Sequence, residues 1–554
     1  MTIAFLLFAS PLLAGSTITA SNAALSTASP YATGAGLAVL KGGGNAIDAA
    51  VVVAFALAVV HPQAGNIGGG GFLLYYDAAT EGVWALDFRE VAPAAAKQDM
   101  YLASDGTISS TSRTGPLSAG VPGTVAGLAA AHARFGTKPW KELLAPAIAM
   151  AREGIRVDAE MQRELGEEDE ERKISQFPST AALFFPGGKP IAAGSTLVQP
   201  DLAATLQRLA KSGPADFYEG ETARRLVNGI RAAGGIIGYR DLREYKPIWR
   251  APLEIGFNGY AIYTMPPPSG GGMVLAESLN ILSAYDLEKT GFQTPRSLHL
   301  LAEAERRAYI DRNKYVGDPA STRIPFRLLL SAERAALWRR SIDPDRATLT
   351  ASLAEPASAM TEGSDTTHFT IVDEKGNVVS LTTTINENFG SGFVVPGAGF
   401  LLNNEMDDFT AATGQPNRAG LVQGVVNSIE PGKRMISSMT PAIIMRNDRP
   451  FMALGTRGGP TIPTTILQVF LNVTVWGLSL SDALAAPRYH QQALPEEMQY
   501  EMALAPKGMV DALNAMGHGV RGGGPIGDVH AILIDRGKIV AVADPRRGGA
   551  AGGY

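Results

Sequence analysis

Thr366 opens the run Thr366-Thr367-His368-Phe369-Thr370 directly after an acid, Asp365. A second hydroxyl of interest, Thr384, stands near the end of Val378-Val379-Ser380-Leu381-Thr382-Thr383-Thr384-Ile385. A threonine hydroxyl attacks a carbonyl only when a base takes its proton. Histidine, the usual base, occurs seven times, at 61, 132, 299, 368, 490, 518 and 530, with neither metal-ligand spacing nor a serine-triad elbow. His368, two residues beyond Thr366, reads as a structural histidine. The chain can make a different base. If the Asp365–Thr366 bond is cut, Thr366 gains an α-amino group with a pKa of about 8, carried on the same residue as the hydroxyl.

Both threonines must be held close for this to matter. Residues 368–371 alternate polar and apolar, 378–385 is rich in β-branched residues, and Gly376-Asn377 marks a turn between them. The pattern predicts a β-hairpin. A symmetric four-residue turn would pair Thr366 with residue 385, whereas one bulged residue would set Thr384 opposite Thr366. The register stays open by one.

Upstream, Ala46 to about Val60 predicts a core helix, apolar on every face except at Asp48. Gly68–Gly71 lacks the Gly-Lys-Ser/Thr of a phosphate loop and reads as close backbone approach feeding a strand over Phe72–Tyr76. Arg89 emerges at the end of a second strand, Trp84–Phe88. Helical patterns follow over Thr124–Phe135, Trp140–Glu153, Leu202–Lys211, Thr222–Ala233, Ser297–Tyr315 and Pro325–Ser341. A polar segment, roughly Thr348–Ser364, has little periodicity and reads as an exposed, cleavable linker ending at Thr366. Beyond it, strands are expected at Gly399–Leu402, Ala442–Met445, Phe451–Leu454, Ala531–Ile534 and Ile539–Val542, with helices at Thr464–Val475 and Leu480–Ala486. These layers suit an α/β fold, an αββα sandwich.

At 554 residues, 45% apolar and 18% charged, the chain can bury a large core. A net charge of -5 without a dense basic run argues against a nucleic-acid surface. The absence of cysteine excludes thiol catalysis, disulfides and cysteine-ligated metals. Residues 1–23 read as a signal peptide, an apolar run closing on Ser21-Asn22-Ala23, and the run is too short for a membrane span.

The hairpin, together with Leu402-Asn403-Asn404-Glu405-Met406-Asp407-Asp408-Phe409, Ser437-Ser438-Met439-Thr440-Pro441 and Gly455-Thr456-Arg457-Gly458-Gly459, resembles the γ-glutamyltranspeptidase family of N-terminal-nucleophile hydrolases. Gly42–Ala50, His61–Phe72 and Leu86–Glu90 continue the resemblance upstream in the family's order. It implies autocatalytic cleavage between Asp365 and Thr366, giving a large subunit, 24–365, and a small catalytic subunit, 366–554, that together build the sandwich. The implied activity is hydrolysis or transfer from glutathione and other γ-glutamyl amides through a γ-glutamyl-threonine ester, with amino acids or peptides as acceptors. No cofactor, metal, nucleic acid or membrane span is implied, and the location would be periplasmic or secreted.

By the same resemblance Thr366 is the nucleophile, Thr384 orients and polarises its hydroxyl, and Gly458 and Gly459 form the oxyanion hole. The chemistry of the ligand is consistent with the rest of the set. A γ-glutamyl head is a zwitterion, so a guanidinium with hydroxyl donors suits its carboxylate and carboxylates suit its ammonium. Arg89, Ser437 and Ser438 match the first need; Asn386, Glu405 and Asp408 match the second. Asp407 reads as a solvated loop charge.

Two departures stand out. Arg457 precedes the glycine pair where relatives commonly carry proline, and the lid-loop run Pro416–Val422 has no aromatic residue. The altered gate implies a more open acceptor side. The alternative reading is a glutaryl or cephalosporin acylase of the same family, against which Asp408 counts because a glutaryl group has no ammonium. An exported binding protein without catalysis would need neither the threonines nor the glycine pair.

Overall fold

The computed structural model describes residues 16–353, 365–411 and 425–554. The hairpin forms at its centre. Thr366–Val372 and Val378–Thr384, both buried throughout, pair antiparallel across the five residues between them. Their β-branched and aromatic side chains suit a pleated, packed surface. Asp373 shapes the turn by accepting from the main-chain N–H of Lys375 and Asn377 at 2.9 and 3.0 Å, and Gly376 supplies the positive φ of 81°. The pairing sets Thr366 opposite Thr384, which closes the question of register.

The hairpin sits in the middle of a seven-stranded antiparallel sheet. Ala24–Thr27 and then Ala550–Gly553 flank its first strand. Gly70–Asp77, Gly82–Asp87 and Ile248–Arg250 follow its second. A second seven-stranded sheet runs Thr17–Ala20, Lys538–Ala543, His530–Asp535, Arg449–Gly455, Ala442–Arg446, Tyr260–Thr264, Leu253–Phe257. Along the hairpin the odd residues Phe369, Ile371, Val379 and Leu381 pack into a core with the helices of one outer layer. Even residues face the second sheet, where Thr370 donates to the His530 carbonyl at 2.9 Å and Ser380 to that of Leu454 at 3.1 Å. Helices Gly271–Leu282, Pro295–Tyr315 and Thr461–Thr474 cover the other sheet, giving four layers.

Helix Ala46–Val60 is buried along its whole length, as its composition predicts. Its single charge caps it: Asp48 accepts from Asn45 N–H at 3.0 Å, within a capping box, and from Thr137 N–H at 2.9 Å. The glycine tetrad allows the backbone contact expected of it. A Cβ on Gly69 would lie 2.1 Å from the Thr384 carbonyl, and one on Gly68 2.1 Å from that of Leu401.

Elsewhere the elements differ from expectation. Gly399–Leu402 is no regular strand; it contributes only a bridge between Val394 and Leu401, because Gly397 and Gly399 turn the chain at φ 69° and 78°. Pro325–Ser341 is two helices, Phe326–Leu329 and Ala332–Arg340, since Ser331 caps the second by accepting from Arg334 N–H at 3.0 Å. The expected linker, Thr348–Ser364, starts with a 3-10 turn, Thr350–Ser352, in which Thr350 is buried, whereas 354–364 and the run Pro416–Val422 lie outside the described residues. So do the first fifteen residues of the expected leader, whereas Thr17–Ala20, assigned to the same leader, is an edge strand paired with Lys538–Ala543. No helix among the described residues is long and apolar enough to cross a membrane.

Candidate active site

Thr366, Thr384, Asn386, Arg89, Glu405, Asp408, Ser437 and Gly459 line one recess, with Met439 and Ile462. These residues come from five separate stretches of the chain, and strand ends and the loops beyond them bring them together.

The hairpin delivers the two threonines, both buried, at its open end. The resemblance implies that Thr384 polarises the Thr366 hydroxyl, but in this uncut chain its hydrogen goes elsewhere. Its Oγ1 donates to the main-chain carbonyl of Asp365 at 2.8 Å and accepts from Asn386 N–H at 2.7 Å. Asp365 is held on its other groups too: its N–H donates to the Asn386 carbonyl at 3.0 Å, and its carboxylate accepts from Asn388 N–H at 3.1 Å and pairs with Arg457. The carbonyl that Thr366 would attack in the intact chain is thus fixed and polarised. His368 is buried between Thr382 and Thr370, each 2.9 Å from a ring nitrogen, and burial holds its pKa well below the ordinary value. It is neutral and structural.

Gly458 and Gly459 adopt φ 129° and 54°, and neither N–H has a protein acceptor among the described residues. Helix Thr461–Thr474 begins immediately after Pro460, so its positive end lies behind the pair. Free N–H groups at a helix start suit a developing oxyanion. Gly459 lines the recess; Gly458 lies just outside it.

Arg89 is almost fully buried at the end of strand Gly82–Asp87. Its guanidinium donates to the Ile436 carbonyl at 3.0 Å, which sets it beside Ser437. It also pairs with Asp408, with Glu405 at 2.6 Å and with Glu90 at 3.6 Å. The acids meant for an ammonium therefore occupy the arginine meant for a carboxylate. Their placement follows from local structure: Glu405–Asp408 is a 3-10 turn, in which residues three apart eclipse, so both acids reach Arg89. Asp407 points elsewhere and accepts from Ser112 at 2.8 Å. Three carboxyls thus share one guanidinium. Burial pushes Glu90 up to about 8 and moves Glu405 in the same direction.

Asn386 sits at a positive φ of 81° with its amide donating to the Asn404 carbonyl at 3.0 Å. Ser437 Oγ accepts from Met439 N–H at 3.1 Å. Ser438, buried and outside the recess lining, accepts from Arg312 at 3.0 Å. Arg312 escapes a reading of the sequence, being one of several arginines in helix Pro295–Tyr315 with nothing local to mark its burial. The same holds for Arg457 as partner of Asp365. One trio, His299, Glu303 and His518, has ligand spacing for a cation. Glu303 is committed to Arg307 at 2.7 Å, and the two histidines bond each other at 2.8 Å, closer than two ligands of one ion sit.

A hydroxyl opening a strand, a polarised carbonyl before it and two free glycine N–H groups define an N-terminal-nucleophile hydrolase in an αββα sandwich. The chain belongs to the gamma-glutamyltranspeptidase family, whose sequence pattern matches residues 32–554. It is 42% identical to a glutathione hydrolase proenzyme of Pseudomonas sp. (strain A14), over 97% of this chain and 95% of that one. Against the glutathione hydrolase proenzyme of Escherichia coli (strain K12) the identity is 40%, over 93% and 89%. Among solved structures, a cephalosporin acylase from Bacillus halodurans superposes with a TM-score of 0.85 at 27% identity, covering 100% of this chain and 99% of that one.

Proposed function

We propose that the protein is a γ-glutamyl hydrolase and transferase that matures by cutting itself between Asp365 and Thr366. The carrying observation is the single recess that holds Thr366, Thr384 and Gly459 together with Arg89, Glu405, Asp408 and Ser437. In turnover the Thr366 α-amine takes the hydroxyl proton, and Oγ1 attacks the γ-carbonyl of a γ-glutamyl amide such as glutathione. The tetrahedral oxyanion faces the N–H groups of Gly458 and Gly459, the amine departs with the proton, and water or an acceptor amino acid resolves the ester. Arg89 with Ser437 holds the α-carboxylate, while Ser438, expected to join them, lies outside the recess lining and accepts from Arg312. Asp408, Glu405 and Asn386 hold the α-ammonium, whose charge favours the ionised form of the buried carboxyls around Arg89.

Residues up to 365 form the large subunit and 366–554 the small one. Export behind an N-terminal leader suits a chain without cysteine, and a leader ending ahead of Thr17 leaves the edge strand in place.

A second reading, an acylase for glutaryl-type side chains, draws on the fold shared with the cephalosporin acylase. Asp408 and Glu405 argue against it, because a glutaryl chain brings no ammonium to offset them. Thr366→Ala is expected to leave one uncut band on a denaturing gel and no hydrolysis of γ-glutamyl anilide. Cutting at residue 365 in that variant would remove Thr366 as nucleophile. Faster turnover of glutaryl than of γ-glutamyl anilide by the parent would favour the acylase.

A further inference from the structure

Arg457 is set in the loop that carries the glycine pair, yet its guanidinium turns away from a substrate role and pairs with Asp365, the residue that ends at the scissile bond. It is buried, and burial followed by the nearby Arg547 disfavours its charge, so the neighbouring acids keep it ionised. Glu164 stands 3.8 Å from its other terminal nitrogen and 3.0 Å from Arg547, which also pairs with Glu160. Glu164, on helix Ala159–Leu165, is thereby a second acidic neighbour of Arg457. Asp365 has three further tethers, all to one short segment: Thr384 on its carbonyl, the Asn386 carbonyl on its N–H and Asn388 N–H on its carboxylate.

We infer that Arg457 is a positioning residue for maturation: by clamping the Asp365 side chain it holds the Asp365 carbonyl on the Thr384 hydroxyl, in line for Thr366. This rests on the self-cleavage proposed above. In that step the Thr366 Oγ1–C bond forms at the Asp365 carbonyl carbon and the C–N bond to Thr366 breaks. The hydroxyl proton passes to the departing amine. Water then splits the ester, returning a proton to Oγ1 and leaving Asp365 with a new α-carboxylate. Asp365 then carries a second negative charge, and the clamp has served its purpose. A loop proline could supply no such charge.

The test follows cleavage on denaturing gels after synthesis, for the full chain and for R457M, R457K, D365N and D365N/R457M. Misplacing a reacting group by about 1 Å costs on the order of 100-fold, and R457M is expected to slow cutting by about that much. R457K, which keeps charge without the fork, should fall between R457M and the parent. The double variant should be no slower than the slower single one, as for two residues acting through one contact, whereas independent damage to the fold would multiply. The same substitutions placed on Thr366→Ala report folding by their melting midpoints. Should R457M fail to fold, D365N carries the test, because Arg457 then retains Glu164. Cutting of R457M or D365N at the parental rate, or multiplicative losses in the double variant, overturns the inference. A parent that is never cut overturns instead the self-cleavage on which it rests.

Discussion

The Thr384 hydroxyl donates to the main-chain carbonyl of Asp365 at 2.8 Å, on the peptide bond whose far side is Thr366. A donor in that position serves the oxyanion that forms when the Thr366 hydroxyl attacks. Once the bond is cut and the carbonyl leaves, the same hydroxyl is released opposite Thr366, where the strand register holds it. One side chain can serve both stages. Thr384→Ala is expected to slow cutting by about 10²–10³-fold, the cost of one oxyanion donor. Thr384→Ser, which keeps the donor, should recover most of the rate. A gel time course distinguishes the two, and parental cutting by the alanine variant would count against the assignment.

Gly458 tolerates no side chain. At φ 129° a Cβ would meet Thr461 Oγ1 at 2.2 Å, so Gly458→Ala must move the loop that aims both N–H groups. A loss of about 100-fold in kcat is expected, with KM less affected, because the donors act on the transition state. Steady-state kinetics on the cleaved enzyme provide the check; a change confined to KM would argue for a binding role.

Arg89→Lys keeps the charge but loses the planar fork that spans Glu405, Asp408 and the Ile436 carbonyl. Charge-assisted hydrogen bonds contribute about 1.5–3 kcal/mol each, so KM for a γ-glutamyl anilide should rise about ten- to a hundredfold. An unchanged KM would remove Arg89 from the carboxylate subsite.

Substrate affinity should depend on pH through Glu405. Burial above all holds this carboxyl high, at about 8, against an ordinary 4.5, so the free site is largely protonated at neutral pH. An ammonium binds the carboxylate form, which lowers the pKa on binding and expels a proton. Affinity therefore strengthens as pH rises toward about 8, and KM falls by up to about tenfold per unit across that range. Glu405→Gln, which cannot titrate, should make the profile shallower, leaving the share of Glu90, which burial also holds at about 8. A KM independent of pH in the parent would show that Glu405 does not meet the ammonium.

Much of this could be read without coordinates because its signals are local. The hairpin strands, helix Ala46–Val60 and Arg89 at a strand end follow from periodicity, β-branching and turn residues that neighbours along the chain supply. The candidate site residues come instead from the family resemblance, since each sits in a short distinctive stretch. Gly399–Leu402 and Pro325–Ser341 went astray where a positive φ or a cap outweighed an apolar run.

Other relationships arose only when distant segments packed. A difference of one residue in turn length decides whether Thr384 or its neighbour faces Thr366, and both sequences look alike. That Thr384 donates to a carbonyl, that Arg89 is shared by three acids, and that Arg457 reaches Asp365 across 92 positions depend on the desolvation and geometry of contacts far apart in sequence. The amino-acid order names the groups able to do the chemistry. Burial and backbone path, set by the whole sandwich, decide which of them touch and what charge each carries.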